Sequence, residues 1–284
     1  MKIFFTLLVV ATLILSLALG VDEGAKEIQS EAMHRALSAF GLAKGLNMVI
    51  SLIQGTELSF TPVGVGLNFS IGEVLDPFND MVERFSWVML ASSVSLGIQK
   101  ILLELSGALF LQVTLVISAL STLLLLWKKG LENSLFLSYS LKIFTLLLLL
   151  RFSAVLFLYS SELLYNSVLH SEYSSASESV LVTKDQLDTL HEKNKLMAKE
   201  QKEEGFFRGI SSKYDKVLEN LNISKQLDSM QESINEASNS IITLITIFFL
   251  ESILLPLLYL YLLMASVKFI FRTDFRLSLP AVAH

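Results

Sequence analysis

The sequence contains no cysteine, only four prolines, and few charged residues for its length. Without cysteine there can be no disulfide, no thiolate metal site and no cysteine nucleophile. Charged residues make up 17% of the 284 residues and hydrophobic residues 52%, whereas soluble domains carry about 25% charged residues. The net charge of −5 argues against nucleic acid as a partner, because phosphate binding needs a basic face. These shortages indicate a protein whose solvent includes lipid, so we expect the lipid bilayer as a partner.

Long hydrophobic runs are present instead, and three of them reach the roughly 20 residues that cross a bilayer. They cover residues 102–127, 141–164 and 241–264. A shorter run at residues 3–19 could be a signal peptide, because it ends in Ala-Leu-Gly, which resembles a cleavage site. It could also remain as an uncleaved anchor, and this is the arrangement that we expect. The sequence therefore predicts an all-α membrane protein with about four transmembrane helices.

Basic residues beside these runs set the orientation, because Lys and Arg are enriched on the cytoplasmic side. With both termini cytoplasmic, all the flanking basic residues fall on that side: Lys2, Lys128, Lys129, Lys142, Lys268, Arg272 and Arg276. We expect the cell membrane, specifically a bacterial inner membrane. The predicted organisation begins with an anchor or signal peptide at 1–20 and an extracytoplasmic insert with interfacial helices at 21–100. Two membrane helices joined by a short cytoplasmic loop follow at 101–165, and an extracytoplasmic helical hairpin at 166–239. A last membrane helix at 240–270 and a cytoplasmic tail at 271–284 complete the prediction.

We predict that the extracytoplasmic insert at 21–100 is a small α+β unit. Residues 36–53 and 85–103 are apolar but carry central polar groups, so we expect helices on the outer membrane face or packed against the bundle, with a re-entrant segment as the alternative. Apolar residues alternate with polar or glycine residues from Val65 to Ile71, which is a strand period. Asp76-Pro77 predicts the start of a helix, since proline favours the first helical position.

The hairpin is the most regular segment. No glycine or proline occurs in residues 131–204 or 210–255, which predicts two long helices whose tip is Gly205, Phe206, Phe207 and Gly209. Coiled-coil heptad spacing is found in both arms, at Val180, Thr183, Leu187, Leu190, Asn194 and Met197, and at Ile223, Leu227, Met230, Ile234, Ala237, Ile241 and Leu244. In outline, residues 141–270 resemble the sensory regions of bacterial chemoreceptors, which implies a sensing role.

Two charges fall inside predicted crossings. Arg151 follows five leucines in the third crossing, and Glu251 lies near the middle of the fourth. Because unpaired charges in a bilayer are costly, the sequence predicts an Arg151–Glu251 ion pair, with Gln112 of the second crossing nearby. Pro256, one turn beyond Glu251, predicts a helix kink.

The chemistry of the chain favours a non-enzymatic role. The four histidines lack metal-ligand spacing, no catalytic or phosphate-binding motif is present, and we expect no cofactor. The sequence therefore predicts a membrane scaffold or sensor that acts through its hairpin, as a homo-oligomer or with a partner membrane protein. The alternative is a subunit of a small oligomeric channel or transporter that uses the Arg151/Glu251 pair.

Overall fold

The computed structural model describes residues 2–17, 19–57, 71–128, 135–203 and 213–273. Nearly all of these residues are helical, and no strand occurs among them. The described part consists of eight α-helices and two π-helical turns. In chain order they are α1 Lys2–Leu17, α2 Leu19–Glu57, α3 Ile71–Ser106, α4 Leu109–Trp127, α5 Leu135–Leu164, the first π turn Tyr165–Leu169, α6 His170–Glu203, α7 Lys213–Phe249, the second π turn Leu250–Leu254 and α8 Leu255–Arg272.

Five segments of the described chain are long and apolar enough to cross a membrane, which agrees with an all-α membrane protein. They are Val21–Gln54, Leu75–Ser106, Leu109–Trp127, Leu135–Lys193 and Met230–Arg272, and a shorter apolar helix lies at Thr6–Ser16. The five differ from the predicted four because α2 and α3 also qualify, whereas the predicted first crossing, α1, is too short to be counted. Lys44 and Lys100, which argued against these two segments, are exposed and lie off the buried sides of their helices.

The chain divides into two compact units, and the first (unit 1) comprises Met1–His34, Val94–Asn166 and Glu251–His284. In its interior, Val9 of α1 packs with Leu115 and Ala119 of α4 and with Phe144 of α5. The outside of unit 1 is apolar too. Large hydrophobic side chains are exposed on α1, α4, α5 and α8, among them Ile3, Leu7, Ile14, Leu109, Phe110, Ile117, Leu124, Phe136, Ile143, Leu156, Leu257, Leu262 and Phe269. Apolar exposure on this scale is typical of a surface that contacts a membrane or another protein.

The second unit (unit 2) comprises Arg35–Ser93 and Ser167–Leu250, and its buried residues recur at alternating spacings of three and four. This spacing keeps one stripe of each helix facing its neighbours. The buried stripes are Ala36, Ala39, Ala43, Leu46, Ile50 and Ile53 of α2; Leu75, Phe78, Val82, Phe85 and Met89 of α3; Ala176, Val180, Thr183 and Leu187 of α6; and Met230, Ile234, Ala237, Ile241 and Leu244 of α7. Residues 36–53 thus bury one side of α2 within unit 2.

The predicted α+β insert is only partly within the described chain. The strand expected from Val65 lies outside it, except for Ile71, which instead begins α3. Asp76-Pro77 does not start a helix, because α3 begins before it and Pro77 lies inside the helix. The second predicted crossing is also divided, since α3 ends at Ser106 and α4 begins only at Leu109.

The heptad stripes of α6 and α7 pack against each other within unit 2. The hydroxyl of Thr183 donates to the Ser179 carbonyl of its own helix at 3.0 Å and also lies 3.4 Å from the Ser233 carbonyl of α7. Leu190 is half-buried, while the side chains of Asn194, Met197, Ile223 and Leu227 lie outside those that the structure describes. Where the side chains are described, the predicted stripe therefore coincides with the interface between α6 and α7.

Candidate functional site: a buried charge pair

Arg151 is the largest fully buried side chain in the described part of the protein, with 1% of its side chain exposed. Its Nη1 donates to Oδ1 of Asp22 at 2.8 Å, and its Nη2 donates to Oδ2 at 2.6 Å. Two parallel bonds between a guanidinium and a carboxylate form the strongest and most directional ion-pair geometry available to proteins. Both residues belong to unit 1, so the pair is internal to the unit with the apolar surface.

The surroundings of the pair follow from two helix ends. Nη2 of Arg151 also donates to the Ser16 carbonyl at 2.9 Å, close to the end of α1 at Leu17. Carbonyls in the last turn of a helix lack intrahelical partners, and the negative end of the helix dipole favours a cation there. Asp22 lies in the first turn of α2, where the dipole favours an anion. Arg151 therefore joins the end of one helix to the start of the next.

The partner of Arg151 differs from the predicted one. The guanidinium contacts in the described chain go to Asp22 and to Ser16, not to Glu251. Asp22 was assigned to the extracytoplasmic insert because it follows the first apolar run, so it was not considered as a partner. Glu251 is buried within the second π turn, with 6% of its surface exposed.

Gln112 lies in the first turn of α4, next to the junction of α3 and α4. Its Nε2 donates to the Gly107 carbonyl at 3.0 Å, so the side chain ties the start of α4 to the preceding turn. A Cβ added at Gly107 would lie 3.7 Å from Oδ2 of Asp22. Gln112 is therefore linked to the charge pair through the backbone at Gly107 and does not itself bond to Arg151.

Pro256 follows the second π turn and lies in the first turn of α8. Proline has no N–H to offer the carbonyl four residues earlier, which belongs to Ser252. The hydroxyl of Ser95 on α3 donates to that carbonyl. A π turn is a common way for a helix to absorb such an irregularity. A π turn thus precedes Pro256, and one of its carbonyls accepts a bond from α3.

The remaining predicted site residues are not described by the structure. Gly205, Phe206, Phe207 and Gly209, the predicted hairpin tip, lie outside the described residues. Within the described ranges, no group of three or more His, Asp or Glu side chains could hold a metal ion.

Sequence reasoning missed Asp22, Ser16 and Ser95. Asp22 carried a usable signal, since it is an acidic residue within the first turn after an apolar run, where a helix dipole stabilises it. Ser16 contributes a backbone carbonyl, which no side-chain pattern can indicate. Ser95 carried a weaker signal, because it lies one residue off the buried stripe of α3.

Comparison with known proteins identifies no relative of this chain. No protein-family model, no curated protein and no solved structure matches it.

Proposed function

We propose that this chain is a non-enzymatic scaffold or sensor of a bacterial inner membrane, and that it acts through an extracytoplasmic helical hairpin formed by α6 and α7. The observation that carries the proposal is the packing of the α6 stripe on the α7 stripe within unit 2. A pair of long helices held by a continuous apolar seam is stiff, and it presents its outer faces to partners.

A polar face of α6 carries local ion pairs at Lys184, which also approaches Gly45 of α2. Nζ of Lys184 lies 2.6 Å from Oδ2 of Asp188 and 3.8 Å from Oδ1 of Asp185. The hydrogen bond to Asp188 is the main cause that raises the pKa of Lys184 above its usual 10.5, although partial burial opposes the shift. Exposed Leu181 and Leu196 interrupt this polar face and are candidate contact points for a partner.

Two contacts between helix ends support the proposed orientation. Nε1 of Trp127, at the end of α4, donates to Oγ1 of Thr6 near the start of α1. Nζ of Lys142, near the start of α5, donates to the Phe271 carbonyl at the end of α8. Each contact joins two helix ends that the distribution of basic residues assigns to the cytoplasm.

The depth of the charge pair is consistent with this orientation. Arg151 is nine residues beyond Lys142, and Ser16 is ten residues beyond Thr6. At 1.5 Å per residue, both helices rise about 14–15 Å from their cytoplasmic contacts to the pair. That distance is about half of a hydrocarbon core of about 30 Å. The pair would then lie inside the bilayer, where a charge needs a partner.

Cysteine labelling tests the orientation without background, because the chain has no native cysteine. In intact cells, a membrane-impermeant maleimide should label Lys193→Cys on α6. It should label Lys268→Cys on α8 only after the membrane is permeabilised. Both positions are exposed, so access depends on the side of the membrane alone. Labelling of Lys268→Cys in intact cells would contradict the proposal.

Photo-crosslinking tests the scaffold or sensor role. A photoreactive amino acid at Leu181 or Leu196 should yield a discrete adduct, either with a partner membrane protein or with a second copy of the chain. Ile117 of α4 is the matched control, since it is equally exposed but lies on the apolar surface of unit 1. Val180→Asp, which buries a charge in the α6 seam, should abolish the adduct. If neither α6 position gives a discrete adduct, the hairpin is not the interacting element.

The channel or transporter alternative rests on Glu251, which is buried in the second π turn close to Pro256. Purified protein in liposomes tests it directly. An ion flux that Glu251→Gln abolishes would replace the scaffold proposal, and the absence of flux from the wild-type protein would remove the alternative. Arg151→Leu is the second comparison, because the alternative requires both charges.

A further inference from the structure

Unit 1 contains a cavity of about 600 Å³ between α3, α5 and the segment formed by the second π turn and α8. This volume lies within the range of about 300–1,000 Å³ that is typical of small-molecule sites. The walls are largely apolar and include Leu102, Leu105, Phe157, Leu158, Leu257 and Leu260. The cavity shares no side chain with the Arg151–Asp22 pair.

The rim of the cavity belongs to the lipid-contacting surface. Leu102 and Leu105 of α3 and Leu257 and Leu260 of α8 line the cavity, and all four are also exposed. The opening between α3 and α8 is therefore framed by side chains that belong in hydrocarbon. A molecule that enters through it comes from the bilayer, not from water.

The hydroxyl groups on the cavity wall are already engaged. Ser106 donates to the Leu103 carbonyl, Ser153 to the Leu150 carbonyl, and Tyr259 to the Ser153 carbonyl. Ser95 donates in the same way to the Ser252 carbonyl, as described above. A hydroxyl has a single proton to donate, so these groups can only accept a further bond.

Gln99 is the exception among the described wall residues. It lies on the buried stripe of α3 and is 9% exposed, and its Nε2 is enclosed without a hydrogen-bond partner. A buried amide nitrogen without a partner lowers the stability of the folded protein, and it gains a hydrogen bond if a ligand supplies an acceptor. The side chain already lines the cavity, so a turn of its terminal amide would bring the nitrogen to an acceptor inside.

We propose that the cavity binds an acyl chain of a membrane glycerolipid, and that Gln99 donates a hydrogen bond to the ester carbonyl of that chain. The ligand matches each feature of the cavity. Its hydrocarbon fills the apolar walls, its carbonyl is an acceptor without a proton, and its source is the bilayer at the rim. The site is independent of the role proposed for α6 and α7.

Photoaffinity labelling of the full chain in phosphatidylcholine vesicles tests the site. The probe is a phosphatidylcholine with a diazirine in its acyl chain, and the adducts are located by peptide mapping. Cavity residues should be labelled several-fold more than Ile117 of α4, which is exposed to bulk lipid. Equal labelling of the cavity and of Ile117 would overturn the proposal, since it would mean that no lipid is retained.

Space-filling variants separate the cavity from the surface around it. Ala154→Trp fills the cavity from α5, and Leu257→Trp fills it from the rim, where an exposed position tolerates a larger side chain. Both should remove the excess labelling, while Ile117→Trp should leave it unchanged. If Ala154→Trp fails to fold, Leu257→Trp decides the outcome. Excess labelling that persists in a folded filled variant would overturn the proposal.

The role of Gln99 needs its own comparison. In wild-type protein, unlabelled diacyl phosphatidylcholine should displace the probe several-fold better than its dialkyl ether analogue, which has no carbonyl. In Gln99→Leu, which keeps the size of the side chain but removes the donor, the two lipids should compete equally. A preference for the diacyl lipid that survives in Gln99→Leu would remove the assigned role of Gln99.

Discussion

Asp22→Asn should destabilise this protein far more than its small change in size would imply. The substitution keeps one acceptor oxygen in place but removes the negative charge. The guanidinium of Arg151, which has 1% of its side chain exposed, would then be a buried cation without an anion. The same substitution at an exposed ion pair would change the free energy of unfolding by less than about 1 kcal/mol.

The magnitude follows from the geometry of the pair. At an effective dielectric constant of about 20, unit charges separated by 2.6 Å attract each other by about 6 kcal/mol. The desolvation of both ions offsets much of this attraction, so the net contribution of the intact pair is small. Removing one partner forfeits the attraction but keeps the cost of burying the other, and we expect a loss of about 3–5 kcal/mol for Asp22→Asn. A double substitution of both residues to leucine should recover most of that loss.

The free energy of unfolding can be measured by titrating SDS into mixed micelles while following helicity by circular dichroism. A double-mutant cycle with Asp22→Asn and Arg151→Leu isolates the interaction between the two side chains. Glu251→Gln is the matched control, since it neutralises the other buried carboxylate. Its effect should add to that of Arg151→Leu within about 0.5 kcal/mol. An additive Asp22–Arg151 cycle, or a strongly coupled Glu251–Arg151 cycle, would refute the reasoning.

Three further predictions come from single contacts. Ser95→Ala should lower the free energy of unfolding by about 1 kcal/mol in the wild type. The loss should be smaller in a Pro256→Ala background, where a backbone N–H can bond to the Ser252 carbonyl. Equal losses in both backgrounds would contradict the assigned bond. Gly24→Ala should destabilise the protein, because a Cβ there would lie 2.3 Å from the Tyr159 hydroxyl oxygen, and a melting-temperature measurement should find partial rescue by Tyr159→Phe. Because the pKa of Lys184 is raised above 10.5, its ion pairs contribute stability below that pH and lose it as the pH rises further; Lys184→Met should abolish this alkaline component in pH-dependent thermal melts.

Sequence reasoning was most successful where a regular pattern or a large energetic cost constrains the chain. The stripe on α6 and α7 was predictable, because a heptad keeps the same face buried over many turns. Arg151 was identifiable as a residue that needs an anionic partner, because the cost of an isolated charge in a bilayer is high. Each of these predictions depends on local spacing or on one residue.

The partner of Arg151 was not predictable in the same way. The sequence points to Glu251 as the partner, because this residue lies near the middle of the fourth predicted crossing. The choice of Asp22 depends on α1 ending at Leu17 and α2 restarting at Leu19, which brings a helix end and a helix start to the same guanidinium. Such an arrangement is set by tertiary packing, and the separation of 129 residues leaves no sequence pattern to indicate it.

The alanines and glycines of α2 illustrate a second limit. Small residues permit the close approach of another helix, but they do not indicate which helix approaches. In unit 2, a Cβ at Gly45 would lie 3.1 Å from Cε of Lys184 on α6, so small residues there admit a long basic side chain. Hydropathy alone could not distinguish this packing from contact with lipid, because both favour apolar residues.

The junction between α1 and α2 also imposes an order on biosynthesis. Asp22 leaves the ribosome long before Arg151, so the carboxylate is already present when the fifth helix is synthesised. In the orientation proposed above, the guanidinium would then meet its anion as the fifth helix enters the bilayer.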